Sequence, residues 1–203
     1  MEYYGQNITT GGGSEDPIDK ILERYFPNQK TGTAIEAGAN DGLYLSSCLY
    51  FGKLGWKVIN IEASEHNYKK LIENRPESVN HFFALSNINS GLVEISHFDF
   101  DNGGMDGNPN HCTRLTKGKI PASKNYIQTI RYDFLIQEPI DLFVLDVEGM
   151  EIEVISGMAN TKYWPKVFCI EHAHLGKDII FGYLSDKYTI DYIDNLNMVL
   201  VLK

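Results

Sequence analysis

Residues 142–158 read LFVLDVEGMEIEVISGM, an apolar run followed at once by four carboxylates, Asp146, Glu148, Glu151 and Glu153. Asp146 and Glu148 flank Val147, so in extended backbone both side chains leave the chain on the same side. Two acids emerging together from an apolar strand suit proton transfer, orientation of a cationic ligand, or metal binding. A second strand-like run, VFCIEH, ends in Glu171 and His172, with His174 close behind. For a reaction in which an alcohol loses its proton, Glu148 and His172 are the candidate catalytic bases and Asp146 the group that orients them. A hard divalent cation on Asp146, Glu148 and Glu171 is the less favoured alternative, since no tight ligand spacing compels a metal. Glu153 reads as helix-start electrostatics. Met150, Val154 and Met158 recur at helical spacing and read as core.

A second chemical feature lies upstream. The stretch AIEAGANDGLY places Gly38 and Gly42 between a strand and a helix, where glycine permits close backbone approach to a ligand. The next strand, KVINIEAS, carries Glu62, at the position where nucleoside-binding α/β folds use an acid on the ribose hydroxyls. A dinucleotide fingerprint requires G-x-G-x-x-G, whereas the spacing here is G-x-x-x-G. Glu36 and Asp41 flank the loop, and carboxylates beside a pyrophosphate repel it. The same charges suit an ammonium and a sulfonium, which favours S-adenosylmethionine over a nicotinamide cofactor. A nucleotide-binding oxidoreductase is therefore the runner-up. A non-catalytic cofactor-binding or interaction module is the third reading, against which the acids and His172 argue.

These residues need a scaffold that sets them at strand ends. Asp16-Pro17 opens a helix, and from residue 32 strands and helices alternate: strands at 33–37, 57–64, 79–86, 92–98, 141–147 and 167–172, helices near 43–55, 65–74, 149–159 and 176–187. Such βα alternation implies a parallel sheet covered on both faces. The strands at 189–194 and 198–202 are separated by three residues, too few for a parallel crossover, so they form an antiparallel hairpin. Residues 1–16, with Gly11-Gly12-Gly13-Ser14, read as a flexible lead-in to a single domain over 17–203. Residues 99–130, rich in Gly, Asn, Asp and Pro, read as a long loop on the acceptor side. In it His111, Cys112, Arg114 and Lys117 are available to a substrate, while a zinc site on His111 and Cys112 lacks partners.

Taken in order, IEAGANDGLY, INIEAS with Asn67, Leu71 and Asn74 behind it, FALSN with Gly91, and LDVEGMEIEVISGM resemble the FkbM-type methyltransferases. The resemblance runs from about residue 33 to 200. It implies a class I methyltransferase, Rossmann-like α/β fold: a mostly parallel seven-stranded sheet with a C-terminal antiparallel hairpin and helices on both faces. It also implies transfer of a methyl group from S-adenosylmethionine to a hydroxyl of a sugar or small metabolite. By position, Glu36, Gly38, Ala39, Asn40, Asp41 and Gly42 surround the methionine end of the cofactor. Glu62 holds the ribose, Ala63, Ala84 and Leu85 flank the adenine, and Asp146 lies beside the donor. Glu151 matches the family pattern and orients its turn. Two departures stand out: Glu36 replaces a frequent Asp, and Ala63-Ser64 replaces a Pro-containing turn.

Bulk properties agree with that class. The 203 residues suffice for one sizeable domain. A net charge of −9 argues against broad nucleic-acid binding. No apolar run reaches membrane-spanning length and no signal-like leader is present, so no membrane partner and a cytoplasmic location are expected. The three scattered cysteines, Cys48, Cys112 and Cys169, suggest neither a zinc site nor a disulfide framework.

Overall fold

The computed structural model describes residues 2–9, 15–100, 103–107 and 119–203. The strands are β1 (Asn7–Thr9), β2 (Glu15–Pro17), β3 (Thr33–Ala37), β4 (Lys57–Glu62), β5 (Val79–Phe82), β6 (Ala84–Leu85), β7 (Leu92–Phe100), β8 (Gly103–Gly107), β9 (Ser123–Ile130), β10 (Leu142–Leu145), β11 (Val167–Glu171), β12 (Tyr188–Ile193) and β13 (Asn197–Leu202). The helices are α1 (Ile18–Glu23), α2 (Leu49–Lys53), α3 (Glu65–Asn74), α4 (Tyr132–Leu135), α5 (Glu151–Ser156) and α6 (Lys177–Gly182).

Seven strands form the central sheet in the order β12-β13-β11-β10-β3-β4-β5. Strands β5, β4, β3, β10 and β11 run parallel, and β13 is antiparallel to both β11 and β12. Since β13 opposes both neighbours, β12 shares the direction of β11, and β13 alone is reversed. The expected sheet and hairpin are present, and the return strand is inserted between β11 and β12.

Burial on both faces follows from the pleat. Ile35, Ala37, Phe143, Leu145, Phe168 and Ile170 face one layer, closed by Val154 and Ile155 of α5, Tyr132 of α4 and Ile180 of α6. Ala34, Val58, Leu142, Val144, Val167 and Cys169 face the other, closed by Ile18, Ile21 and Leu22 of α1 and Phe51 of α2. Alternate residues of one apolar run thus serve opposite cores. Phe143 and Phe168 stack across neighbouring strands with centroids 4.8 Å apart. Cys48 and Cys169 are buried free thiols.

Helix α3 shows how local signals place Glu62. Ser64 caps it, its hydroxyl accepting from Asn67 N–H at 3.3 Å, and the helix ends before Arg75-Pro76. The cap fixes the chain two residues beyond Glu62.

Three expectations change. The lead-in at 1–16 is docked over its described part: β1 pairs with β2, Tyr3 stacks on Tyr50, and Tyr3 O–H donates to Glu23 at 2.6 Å. Asp16 lies in β2 and pairs with Lys20 at 2.5 Å rather than capping α1. The loop reading of 99–130 also fails over much of its length, because β8 and β9 both pair with β7 in a second, four-stranded sheet ordered β6-β9-β7-β8. Backbone pairing overrides the Gly-rich composition of β8. His111, Cys112, Arg114 and Lys117 lie outside the described residues. No helix among the described residues is long and apolar enough to cross a membrane.

Candidate functional site

A cleft of about 770 Å³ opens at the carboxyl ends of β3, β4 and β10. Glu36, Gly38, Asn40, Glu62, Ala63, Ala84, Leu85, Asp146 and Glu148 line it, so most of the expected residues converge. Ala39, Asp41 and Gly42 do not line it. Ala39 is buried, and Asp41 Oδ1 accepts from Leu43 N–H and Tyr44 N–H at 2.9 and 2.8 Å, which fixes the turn.

Both loop glycines answer to protein contacts. Gly38 has φ +82°, and a Cβ there would meet the Asp146 carbonyl oxygen at 1.7 Å. Gly42 has φ +78°, and its Cβ would meet Leu71 and Arg75. The glycines bring β3 against the end of β10 and seat α3, while Gly38 also lines the cleft. Glu36 is buried and satisfied by the same loop: Ser46 O–H donates to Oε2 at 2.6 Å, and Ser47 N–H to Oε1 at 2.6 Å. Burial pushes its carboxyl up from the ordinary range.

Glu62 is 7 % exposed and is held by two backbone donors, Asn40 N–H to Oε2 and Ser64 N–H to Oε1, both at 2.7 Å. Burial pushes its pKa up to about 7, with Asp106 adding to the rise. Each oxygen keeps a lone pair for a further donor. The apolar wall beside it is Ala63, Ala84 and Leu85. Across the cleft the second sheet contributes His97 and Asp106, whose Nδ1 and Oδ1 are 2.6 Å apart, and Asn67 donates to Asp106 Oδ2 at 3.2 Å.

The carboxylates divide by task. Glu151 is fully buried, and its Oε1 accepts from Val147 N–H and Gly149 N–H at 3.3 and 3.1 Å. It therefore shapes the turn in which Glu148 takes φ +55°. Burial together with the neighbouring acids pushes the carboxyls of Asp146 and Glu171 up from the ordinary range. Glu148 Oε2 lies 2.9 Å from His174 Nε2, and that carboxylate pushes the imidazole up.

His172 bonds elsewhere, its Nε2 3.1 Å from the Asp194 carbonyl, but it lines a second recess together with Glu148, Glu171 and His174. The imidazole in direct contact with Glu148 is that of His174, which follows the end of β11 at Glu171. The E-H-A-H spacing left both histidines eligible. Glu148 and Glu171 line both the cleft and the recess, so the acidic cluster stands where the two meet. Nothing local in the sequence marked His97 and Asp106, which reach the cleft through strand pairing.

Solved structures share this fold. A methyltransferase FkbM from Methylobacillus flagellatus KT superposes with a TM-score of 0.54 at 17% identity over 86% of this chain. The chain spans 44% of that protein's length. A precorrin-6y C5,15-methyltransferase from Geobacter metallireducens GS-15 gives 0.50 at 10% identity, covering 92% of this chain and 87% of the other. At these identities the likeness is one of fold. No curated protein sequence matches the chain. The profile of the Methyltransferase FkbM domain matches residues 36–193, the span that carries the glycine loop, Glu62 and the acidic cluster, and the chain belongs to that family.

Proposed function

We propose that the chain is an S-adenosylmethionine-dependent O-methyltransferase acting on a hydroxyl of a sugar or small polar metabolite. The observation that carries this reading is the junction of two recesses at Glu148 and Glu171, with the buried acid Glu62 lining the first of them. The cleft residues fit the donor. Glu62 has free lone pairs for two vicinal hydroxyls, Ala63, Ala84 and Leu85 offer an apolar slot for a base, and negative charge lines the sulfonium end. When bound, S-adenosylmethionine supplies a methyl group on a positively charged sulfur.

The chain's own groups do the rest. Gly38 and Asn40 place the loop, and Glu62 fixes the nucleoside, so the reacting methyl is oriented by binding. An acceptor entering by the second recess meets Glu148 and His174, which supports placing hydroxyl activation there. Asp146 stands beside them on the cleft wall and receives the proton. The acidic lining supports a neutral or cationic acceptor over a phosphorylated one. The oxidoreductase alternative lacks the middle glycine and would set a pyrophosphate beside carboxylates.

Calorimetry with S-adenosylhomocysteine tests the reading. Stoichiometric binding is expected, and a folded sample that shows no heat at millimolar ligand refutes it.

A further inference from the structure

We propose that Glu148, Glu171 and His174 form a site for one divalent cation of the Mn²⁺ type, placed to bind the acceptor hydroxyl. The role of the cation rests on the methyltransferase reading; the site itself does not. Each residue offers one ligand atom, and the three atoms lie within 4.8 Å of one another. A point equidistant from atoms so spaced is roughly 2–3 Å from each, close to metal–ligand bonds of about 2.0–2.6 Å.

Unmet valences point the same way. Glu171 Oε2 has no hydrogen-bond partner, although it is almost wholly shielded from solvent, and it lies 3.6 Å from His174 Nε2. The His174 side chain is only 4% exposed and turns Nε2 toward both carboxylates. Fully buried Glu151 carries another unpartnered oxygen, Oε2, in the turn below. Two carboxylates and one imidazole suit Mn²⁺ better than soft, thiolate-seeking ions.

The position also suits the reaction. Glu148 and Glu171 border both recesses, so a cation on them is reachable from the acceptor side and from the methyl donor. A hydroxyl bound there becomes more acidic. Its proton passes to Asp146, the oxygen forms the new C–O bond, and the methyl–sulfur bond breaks with its electron pair kept by sulfur. No redox partner is needed.

The test is Mn²⁺ titration of the full chain followed by electron paramagnetic resonance, with S-adenosylhomocysteine binding measured on the same samples. One Mn²⁺ bound at sub-millimolar free metal is expected, weakened at least about tenfold in Glu171→Gln and in His174→Asn. S-adenosylhomocysteine binding should persist in both variants, which shows that they fold. Absence of Mn²⁺ binding by a sample that binds S-adenosylhomocysteine overturns the site and leaves the methyltransferase reading intact. Mn²⁺ binding unchanged in both variants overturns it as well. Mn²⁺ binding that depends on Glu171 and His174 without S-adenosylhomocysteine binding keeps the site and removes its proposed role.

Discussion

Cofactor affinity should depend on pH through Glu62. Its pKa of about 7 stands well above the ordinary 4.5 because burial disfavours the charge. Two ribose hydroxyls donate best to a carboxylate, so binding and ionisation are linked. At pH 5.5 only about 3 % of such a group is ionised and at pH 8.5 nearly all, which predicts an affinity gain of about thirty-fold, or ~2 kcal/mol. The other titratable groups lining the cleft are Glu36, Tyr44, His66, Lys70, His97, Asp106, Asp146, Glu148 and Glu171, of which Asp146 is also pushed up to about 7. Comparison with Glu62→Gln isolates the share of Glu62, and that variant should bind S-adenosylhomocysteine about 10–100-fold more weakly at pH 8. The stability effect has the opposite sense. A raised carboxyl pKa means that the folded state holds its proton more tightly, so this contribution is present below about pH 4.5, declines as pH rises, and is gone above about 7. The 2.5-unit difference corresponds to about 3 kcal/mol. Calorimetric titrations from pH 5.5 to 8.5, paired with urea denaturation of the free protein, measure both. A wild-type affinity that is flat across this range, or a slope retained in Glu62→Gln, refutes the linkage.

Other substitutions probe the scaffold. Gly38→Ala combines φ +82° with a backbone oxygen 1.7 Å from the new Cβ and should cost about 2–5 kcal/mol; a urea midpoint within error of wild type would contradict the contact. Glu151→Ala strips the Val147 and Gly149 amides of their acceptor and should cost about 2–5 kcal/mol, whereas Glu151→Gln keeps an acceptor oxygen and should recover part of that loss. Equal stability of the two variants would show that the turn holds itself. Phe168→Ala empties a fully buried position between Phe143 and Tyr188 and should cost about 3–5 kcal/mol by thermal or chemical denaturation.

Apolar runs and turn signals revealed the parallel core because β3, β4, β10 and β11 are each buried on both faces. The second sheet was hidden. Strand β8 is GGMDG and has no β-forming side chain beyond Met105, so only its pairing with β7 makes it a strand. Strand β9 left a trace in the alternation of buried Ile127 and Thr129 with exposed Gln128, masked by the polar SKNY before it. The site divides in the same way. Glu62, Asp146 and Glu148 were visible because each ends or follows an apolar strand. His174 was not separable from His172, since the choice depends on how the chain turns after β11.

Register explains why the acids at two distant strand ends meet at all. Leu145 of β10 pairs with Ile170 of β11, so the next rung sets Asp146 against Glu171. On the other side Leu145 pairs with Ala37, and Asp146 N–H donates to the Ala37 carbonyl at 3.0 Å. The same rung brings the Asp146 carbonyl onto Gly38, which is why that position must be glycine. A one-residue slip of β10 against either neighbour would turn Phe143 and Leu145 out of one core and Val144 out of the other. The packing of two hydrophobic layers therefore fixes the acid–acid contact, and the interior of the sheet can bear the cost of holding like charges together. Two buried carboxyls brought side by side in this way repel one another, which together with burial pushes both upward.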